Sequence, residues 1–172
     1  MQNISSLSPN LGHNSSSLWM KDLCSWIEKP MDLWNWSGNT FLDCGIDSST
    51  LKRHLLRDDL HAIGRFDQSN HLLAYAEIVM KQSASNCSLC RVIVRPNARG
   101  KGLGKSFCME CALWARNKLG CSVMNLNVLK LNRSAICCYL ATGFRITQVV
   151  PKARAMGDKF HDLVLMSKKL RH

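Results

Sequence analysis

The segment from Cys90 to Leu113 constrains the fold more than any other part of the chain. Its β-branched run, Val92 to Val94, favours a short strand, which Pro96 ends because proline has no N–H to donate. From Lys105 onward, apolar residues recur at the spacing of one helix face. Between strand and helix, three glycines and three cationic residues fall within seven positions. The segment therefore predicts a strand, a glycine-rich turn and a helix.

Such a turn is suited to holding a pyrophosphate. The first N–H groups of a helix have no internal partners, and the helix dipole adds partial positive charge there. Glycines let a phosphate approach the backbone closely, and cationic side chains add further donors. The residues predicted to contact a pyrophosphate are Arg99, Gly100, Lys101, Gly102, Leu103, Gly104 and Lys105.

The composition indicates one domain with a sizeable core, since 172 residues fall within the usual size of a single domain. A hydrophobic share of 46% and a charged share of 20% are ordinary for a globular protein. No apolar run approaches the roughly 20 residues that span a bilayer, so no membrane partner is expected. The first seventeen residues lack Lys and Arg and do not resemble a secretory signal. We expect a flexible leader over 1–17 and one domain over 18–172.

The net charge of +11 suggests anionic partners. The charges are scattered, however, and no basic stretch is interleaved with aromatic residues, so a nucleic-acid surface is not favoured.

The nine cysteines suggest reduced thiols in the cytoplasm, because their number is odd and no export signal is evident. Cys87, Cys90, Cys108 and Cys111 have the spacing of a four-cysteine zinc site. These cysteines fall on the predicted strand and helix and have no turn of their own, and cysteine is also a common small buried residue. We therefore predict no metal.

Periodicity divides the rest of the chain into short helices followed by strands. Helices are predicted from Trp19 to Ile27, from Pro30 to near Gly38, and around Leu51 to Leu56 after a cap at Ser48 or Ser49. Strands are predicted over 61–66, 72–80, 89–95, 124–128, 144–150 and 160–166, with a loop over 151–158. Asn132 is predicted to cap a helix from Arg133 to Ala141. The tryptophan-rich region of the first two helices is interpreted as core; the alternative is a wall of a substrate pocket.

Three phosphate-binding patterns compete at the glycine turn. The P-loop pattern requires a glycine where Arg99 stands, and the dinucleotide fingerprint requires one at Lys105 or Phe107. The third pattern, R/Q-x-x-G-x-G/A, is matched in full by Arg99, Gly102 and Gly104. This pattern is the acetyl-coenzyme A loop of the GNAT acetyltransferases, and the chain resembles that superfamily.

The resemblance extends from about Leu18 to the C-terminus. A second GNAT motif is matched by Leu126-Asn127-Val128, Asn132, Ala135, Tyr139 and Gly143-Phe144. The resemblance implies an α/β (α+β) domain with a mixed, mostly antiparallel sheet flanked by helices. That sheet is expected to splay where the strand before the glycine turn meets the next strand.

The resemblance also implies acetyl-coenzyme A as the cosubstrate, bound in the splay. The backbone of Val92, Ile93 and Val94 is expected to pair with its pantetheine arm and acetyl carbonyl. Asn132 resembles the family residue that contacts the same arm, and Tyr139 resembles the tyrosine that reaches the sulfur.

The base that would deprotonate the amine is less evident. Related branches carry a glutamate where this chain has Asn127, or where it has Ser88 or Leu89. Glu77 is the remaining acidic candidate on a central strand, and its alternative role is that of a solvated carboxylate on the outer face. A water chain is a further way to remove the proton, especially from an α-amine of pKa near 8.

The sequence thus predicts an N-acetyltransferase that acts on an unidentified amine, as a monomer or homodimer. One alternative is a non-catalytic module that binds acyl-coenzyme A. The other is a P-loop-like nucleotide-binding protein.

Overall fold

The structure, a computed structural model, describes residues 4–7, 16–41, 46–81 and 85–170. The helices are α1 (Ser16–Ser25), α2 (Pro30–Ser37), α3 (Ser48–His54), α4 (Leu103–Leu119) and α5 (Arg133–Ala141), with a 3-10 turn at Pro96–Ala98. The strands are β1 (Ile4–Leu7), β2 (Leu60–Phe66), β3 (Leu72–Met80), β4 (Asn86–Val94), β5 (Val123–Leu129), β6 (Arg145–Met156) and β7 (Lys159–Lys169).

The strands form one sheet in the order β1-β2-β3-β4-β5-β7-β6. Every neighbouring pair is antiparallel except β4 and β5, which run parallel. Their pairing ends where Ser88 meets Asn125, although β4 continues to Val94 and β5 to Leu129. The mixed, mostly antiparallel sheet and its splay are therefore confirmed.

Local signals set most helix boundaries. Pro30 opens α2, where the missing N–H costs nothing, and Gly120 ends α4 with φ of +68°. The predicted cap of α3 is wrong, because Asp47 takes that position and accepts a hydrogen bond from the Thr50 amide at 2.7 Å. A carboxylate at an N-cap also complements the helix dipole.

Two segments differ from the sequence-based expectation. Ile4–Leu7 falls within the predicted flexible leader, yet it pairs with β2 as an edge strand; residues 1–3 and 8–15 lie outside the described residues. The loop predicted over 151–158 is strand except at Gly157 and Asp158. Pro151 is tolerated because it lies where the pairing of β6 is irregular, between Val150 and Arg154, on the last strand of the sheet.

The sheet separates two cores. The helix-α4 core lies under α4 and is built largely from aliphatic residues and cysteines, such as Ile63, Cys111 and Val164, together with Phe107 and Phe144. The tryptophan core lies under α1–α3 and includes Trp19, Leu23, Trp26, Trp36, Phe41, Leu51 and Tyr75. The interpretation of the tryptophan-rich region as core is confirmed for these three tryptophans.

Candidate active site

The glycine turn leads from the 3-10 helix after β4 into α4. Gly100 and Gly102 have φ of +75° and +79°, a region that other residues rarely adopt. A Cβ built on either glycine would meet no heavy atom of the described residues within 4 Å. Backbone conformation therefore explains both glycines, and the turn leaves open space for a ligand.

The N-terminus of α4 fits an anion. Gly102 is the N-cap and supplies no side-chain hydrogen bond to the first N–H groups of this 17-residue helix. Lys101 and Lys105 are exposed beside these groups, and the dipole adds positive potential. Arg99 turns back and donates from Nε to the Val94 carbonyl at 2.9 Å, which ties the turn to the end of β4.

Beyond Ser88, one edge of β4 has no neighbour among the described strands. The Arg95 amide donates to the Leu73 carbonyl at 2.9 Å, so residue 95 faces β3. Because backbone groups alternate along a strand, Ile93 also faces β3, whereas Val92 and Val94 face the splay. Two of the three predicted backbone contacts thus lie on the open edge.

Helix α5 begins at the other side of the splay. The Asn132 side chain caps it, and its Oδ1 accepts from the Ala135 amide at 3.2 Å and from the Ser134 hydroxyl at 3.1 Å. Tyr139 lies two turns further on and packs edge-to-face on Phe144, with 5.8 Å between the ring centroids. Burial raises the pKa of Tyr139 well above its usual 10, and nearby thiols, Cys108 first, raise it further. The phenol therefore stays protonated and can donate a hydrogen bond.

A pair of thiols lies between α4 and α5, and sequence reasoning missed it. Cys138 Sγ is 3.7 Å from the position a Cβ would take at Gly104, which places this thiol in the wall beside the turn. A hydrogen bond from Cys108, together with the charge of Lys105, lowers the pKa of Cys138 to about 7 against the opposing effect of burial. The pairing joins residues 30 positions apart in the printed sequence, so no local pattern signals it.

Glu77 lies on the other face of the sheet and is fully buried. Its Oε1 accepts from the Tyr75 hydroxyl at 2.8 Å, and its Oε2 contacts His54 Nε2 at 2.9 Å and the Arg91 guanidinium. Burial alone raises the pKa of this carboxyl, but the hydrogen bond with His54 and the charge of Arg91 outweigh that effect and lower it. The alternative of a solvated outer-face carboxylate is therefore wrong.

Among the described residues, the four cysteines of the zinc-like spacing are not grouped to hold a metal ion. The helix-α4 core contains Cys87, Cys108 and Cys111. The Cys87 thiol also donates to the Val123 carbonyl at 3.7 Å. Cys108 pairs with Cys138 instead. Across the described residues, no three metal-ligating side chains are grouped to hold an ion. None of the described helices is long and apolar enough to cross a membrane.

Comparison with solved structures shows the fold. A spermidine N-acetyltransferase from Vibrio cholerae in complex with CoA and spermine superposes with a TM-score of 0.79 at 13% identity. The match covers 98% of this chain and 95% of that one. Mutant forms of the spermidine/spermine N-acetyltransferase from the same organism give a TM-score of 0.74 at 14% identity, covering 99% and 95%. At such identity the likeness carries the architecture alone.

The family follows from the sequence. No curated protein matches the chain. The family model of the GNAT acetyltransferases matches residues 18–144, which is more than half of the chain and contains both the glycine turn and Tyr139. The parallel sheet of a P-loop protein is absent from the described strands, where only β4 and β5 run parallel. The chain therefore belongs to the GNAT family of acetyltransferases, whose members use acetyl-coenzyme A.

Proposed function

We propose that the protein transfers the acetyl group of acetyl-coenzyme A to a primary amine of a small molecule or peptide, by direct attack in a ternary complex. The observation that carries the proposal is the uncapped N-terminus of α4 beside the open edge of β4. The first suits a pyrophosphate and the second suits the amide groups of a pantetheine arm. Arg99, Lys101 and Lys105 offset the negative charge of the cofactor.

The residues of the splay would orient the thioester for attack. The amides of Val92 and Val94 are the donors available to the arm and to the acetyl carbonyl, where negative charge develops during the reaction. Asn132 opens α5 across the splay, and Tyr139 donates its hydrogen bond to the departing sulfur. A phenol with a raised pKa transfers its proton to a thiolate of pKa about 8.5 only uphill, so hydrogen bonding accounts for most of its effect.

The acceptor would approach from the side of the sheet that carries α1–α3, opposite α4. Two carboxylates near that face are already matched by arginines, since Asp22 pairs with Arg95 at 3.1 Å and Glu77 pairs with Arg91. Neither of these two carboxylates is therefore free to bind a cationic acceptor. The structural neighbours are named for spermidine, and polyamines are accordingly among the amines to be tested.

Removal of the amine proton has two candidate routes. Glu77 as the proton acceptor stays a prediction, and its three side-chain partners leave it little freedom to act alone. A water chain to solvent is the second route, and it suffices for an amine that is partly neutral near pH 8. The cytoplasmic location inferred from the cysteines also stays a prediction.

A turnover screen tests the proposal. Polyamines, aminoglycoside antibiotics and peptides with free N-termini would each be incubated with acetyl-coenzyme A, and released coenzyme A would be read as free thiol. We expect acetyl-coenzyme A binding by calorimetry and turnover with at least one amine. Binding without turnover of any amine would favour the non-catalytic acyl-coenzyme A module, and absence of binding would refute the cofactor site.

A further inference from the structure

We propose that Glu77 and Trp36 are positioning residues that hold Arg91 in its conformation, an arrangement that we call the clamp. The clamp orients the backbone amides of Val92 and Val94 toward the cofactor. The inference rests on the proposed cofactor site. It gives the buried polar cluster around Glu77 a structural role that differs from proton removal.

Arg91 is an extra residue in β4. Tyr75 on β3 lies opposite Ile93, while Glu77 lies opposite Cys90, so the single residue between them on β3 faces two on β4. This two-against-one arrangement is a β-bulge. Arg91 has φ of +50°, a left-handed conformation that is unfavourable for a residue with a Cβ. Such a conformation persists only where the surroundings hold it.

The surroundings hold Arg91 at both ends. Its backbone carbonyl accepts from Trp36 Nε1 at 2.6 Å, and its guanidinium is bound by the Glu77 carboxylate. The same guanidinium donates to the Thr40 hydroxyl at 3.2 Å. Trp36 belongs to α2, and Thr40 belongs to the turn after it. This part of the α1–α3 face therefore holds β4, the strand whose open edge is proposed to bind the cofactor.

Glu77 is itself held still. The Tyr75 hydroxyl and His54 engage its two oxygens at 2.8 and 2.9 Å, and the Arg91 side chain is nearly as buried as the carboxylate. A charge-assisted hydrogen bond between buried groups is short, strong and directional. A carboxylate fixed in this way acts as an anchor.

The clamped bulge immediately precedes the open edge. The amides of Val92 and Val94 point into the splay only because the bulge shifts the alternation of β4 by one residue. If Arg91 relaxed, these donors would turn away from the pantetheine arm. Misplacing such groups by about 1 Å lowers the rate by about 10²-fold in well-studied enzymes.

Glu77→Gln is the first test, because it removes the charge while keeping the shape of the side chain. We expect the Kd for acetyl-coenzyme A, measured by calorimetry, to rise about tenfold or more. The acidic limb of the pH profile of kcat/KM for the amine should persist, since Glu77 is not the group that titrates there. An unchanged Kd together with a lost acidic limb would identify Glu77 as the proton acceptor and overturn the proposal.

Trp36→Phe is the second test, and it decides the question alone if the Gln variant does not fold. It keeps an aromatic ring in the core and removes the N–H that holds the Arg91 carbonyl, together with part of the volume of the indole. We expect a rise in Kd of several-fold, and in the double variant an effect smaller than the product of the two single effects. Wild-type affinity in Trp36→Phe, or effects that multiply independently, would contradict a shared clamp.

Lys152→Gly is the matched control. Lys152 also has a left-handed φ, of +52°, and lies in an irregular part of β6. We expect its Kd to equal that of the wild type, and an equal loss in this variant would show a general effect of strain and overturn the proposal. A wild-type protein that does not bind acetyl-coenzyme A would refute the proposed function, whereas Glu77 and Trp36 variants with wild-type affinity would refute the clamp alone.

Discussion

The two faces of the sheet are built on different principles. On the α4 face, the groups suited to the cofactor are backbone N–H groups at a helix start and a strand edge, supported by a core of mostly aliphatic residues and thiols. On the α1–α3 face, the core is aromatic and encloses the Glu77–Arg91 ion pair with its ring of hydrogen bonds. The proposed function of the α4 face thus depends on backbone conformation. The structure of the α1–α3 face depends on contacts between side chains from distant parts of the chain.

This difference predicts unequal responses to mutation. A change of backbone conformation or charge on the α4 face should abolish cofactor binding without removing any packed side chain. A change on the α1–α3 face should lower the free energy of unfolding and should alter the orientation of the Val92 and Val94 amides. The following experiments test that division, beginning with the largest expected effect.

Gly102→Asp should abolish acetyl-coenzyme A binding. The substitution strains a residue whose φ is +79° and places a negative charge where the pyrophosphate would lie. Calorimetry on the folded variant measures the effect. Gly157→Asp is the control, since Gly157 has φ of +57° in the distant β6–β7 turn. Unchanged affinity in a folded Gly102→Asp protein would refute the assignment of the turn.

Tyr139→Phe should lower kcat by about 10²- to 10⁴-fold if proton donation matters to the rate, and should leave the affinity for acetyl-coenzyme A nearly intact. The ring still packs on Phe144, and only the hydrogen bond to the leaving sulfur is lost. Because that bond strengthens in the transition state, kcat and kcat/KM should fall together. Steady-state kinetics with the accepted amine measures both. A variant with wild-type turnover would make Tyr139 a packing residue only.

Tyr75→Phe removes the other tyrosine hydroxyl of the chain and sharpens the comparison. It takes a donor from the buried Glu77 carboxylate, so we expect the free energy of unfolding to fall by about 1–2 kcal/mol. Turnover should fall far less than in Tyr139→Phe. Urea unfolding and kinetics on both variants measure the two effects, and the reverse order of kinetic losses would contradict the division between the faces.

Cys138 should be alkylated by iodoacetamide with a rate that rises between about pH 6 and pH 8. Its lowered pKa of about 7 means that the thiolate is the minor form below that pH and the major form above it. Burial raises the pKa of Cys111, so that thiol should stay unmodified over this range. Peptide mass spectrometry reads each site. Protection of Cys138 by acetyl-coenzyme A is expected, because its sulfur lies beside Gly104.

Chelation should have the smallest effect. We expect no stoichiometric zinc, and no change of Tm with a chelator, because Cys87, Cys108 and Cys111 are packed as thiols within the helix-α4 core. Elemental analysis of the purified protein measures the metal content. One zinc per chain, lost together with the fold on chelation, would overturn the expectation.

Sequence predicted the parts of the molecule that rest on local signals. Pro96, the glycine turn, Gly120 and the cap at Asn132 each act within a few residues, and the structure places the corresponding elements where they were expected. Strand β1 was missed because Ile4–Leu7 carries only two large apolar residues and depends on β2 for its hydrogen bonds. Pro151 suggested a loop because a proline within a strand is accepted only at a sheet edge or a bulge. The sequence does not reveal that β6 is an edge strand.

The cluster around Glu77 was beyond sequence reasoning for a different reason. Two of its three partners lie 23 residues before it and 14 residues after it, and Trp36 lies 55 residues before the carbonyl that it binds. Nothing in the local pattern of β4 marks Arg91 as an extra residue. Only the register against β3 shows the bulge.

The bulge also reverses the parity of β4. Before it, the odd-numbered Cys87 and Leu89 face the helix-α4 core; after it, the even-numbered Val92 and Val94 do. If the strand were one residue shorter, every side chain from this point to its end would therefore face the opposite side of the sheet. Ile93 would then face the helix-α4 core, and the amides of Val92 and Val94 would face β3. The length of the chain between Cys90 and Val92 is thus a stricter requirement than the identity of any side chain there. We expect insertion or deletion at that position to be more damaging than replacement of Arg91 by another residue.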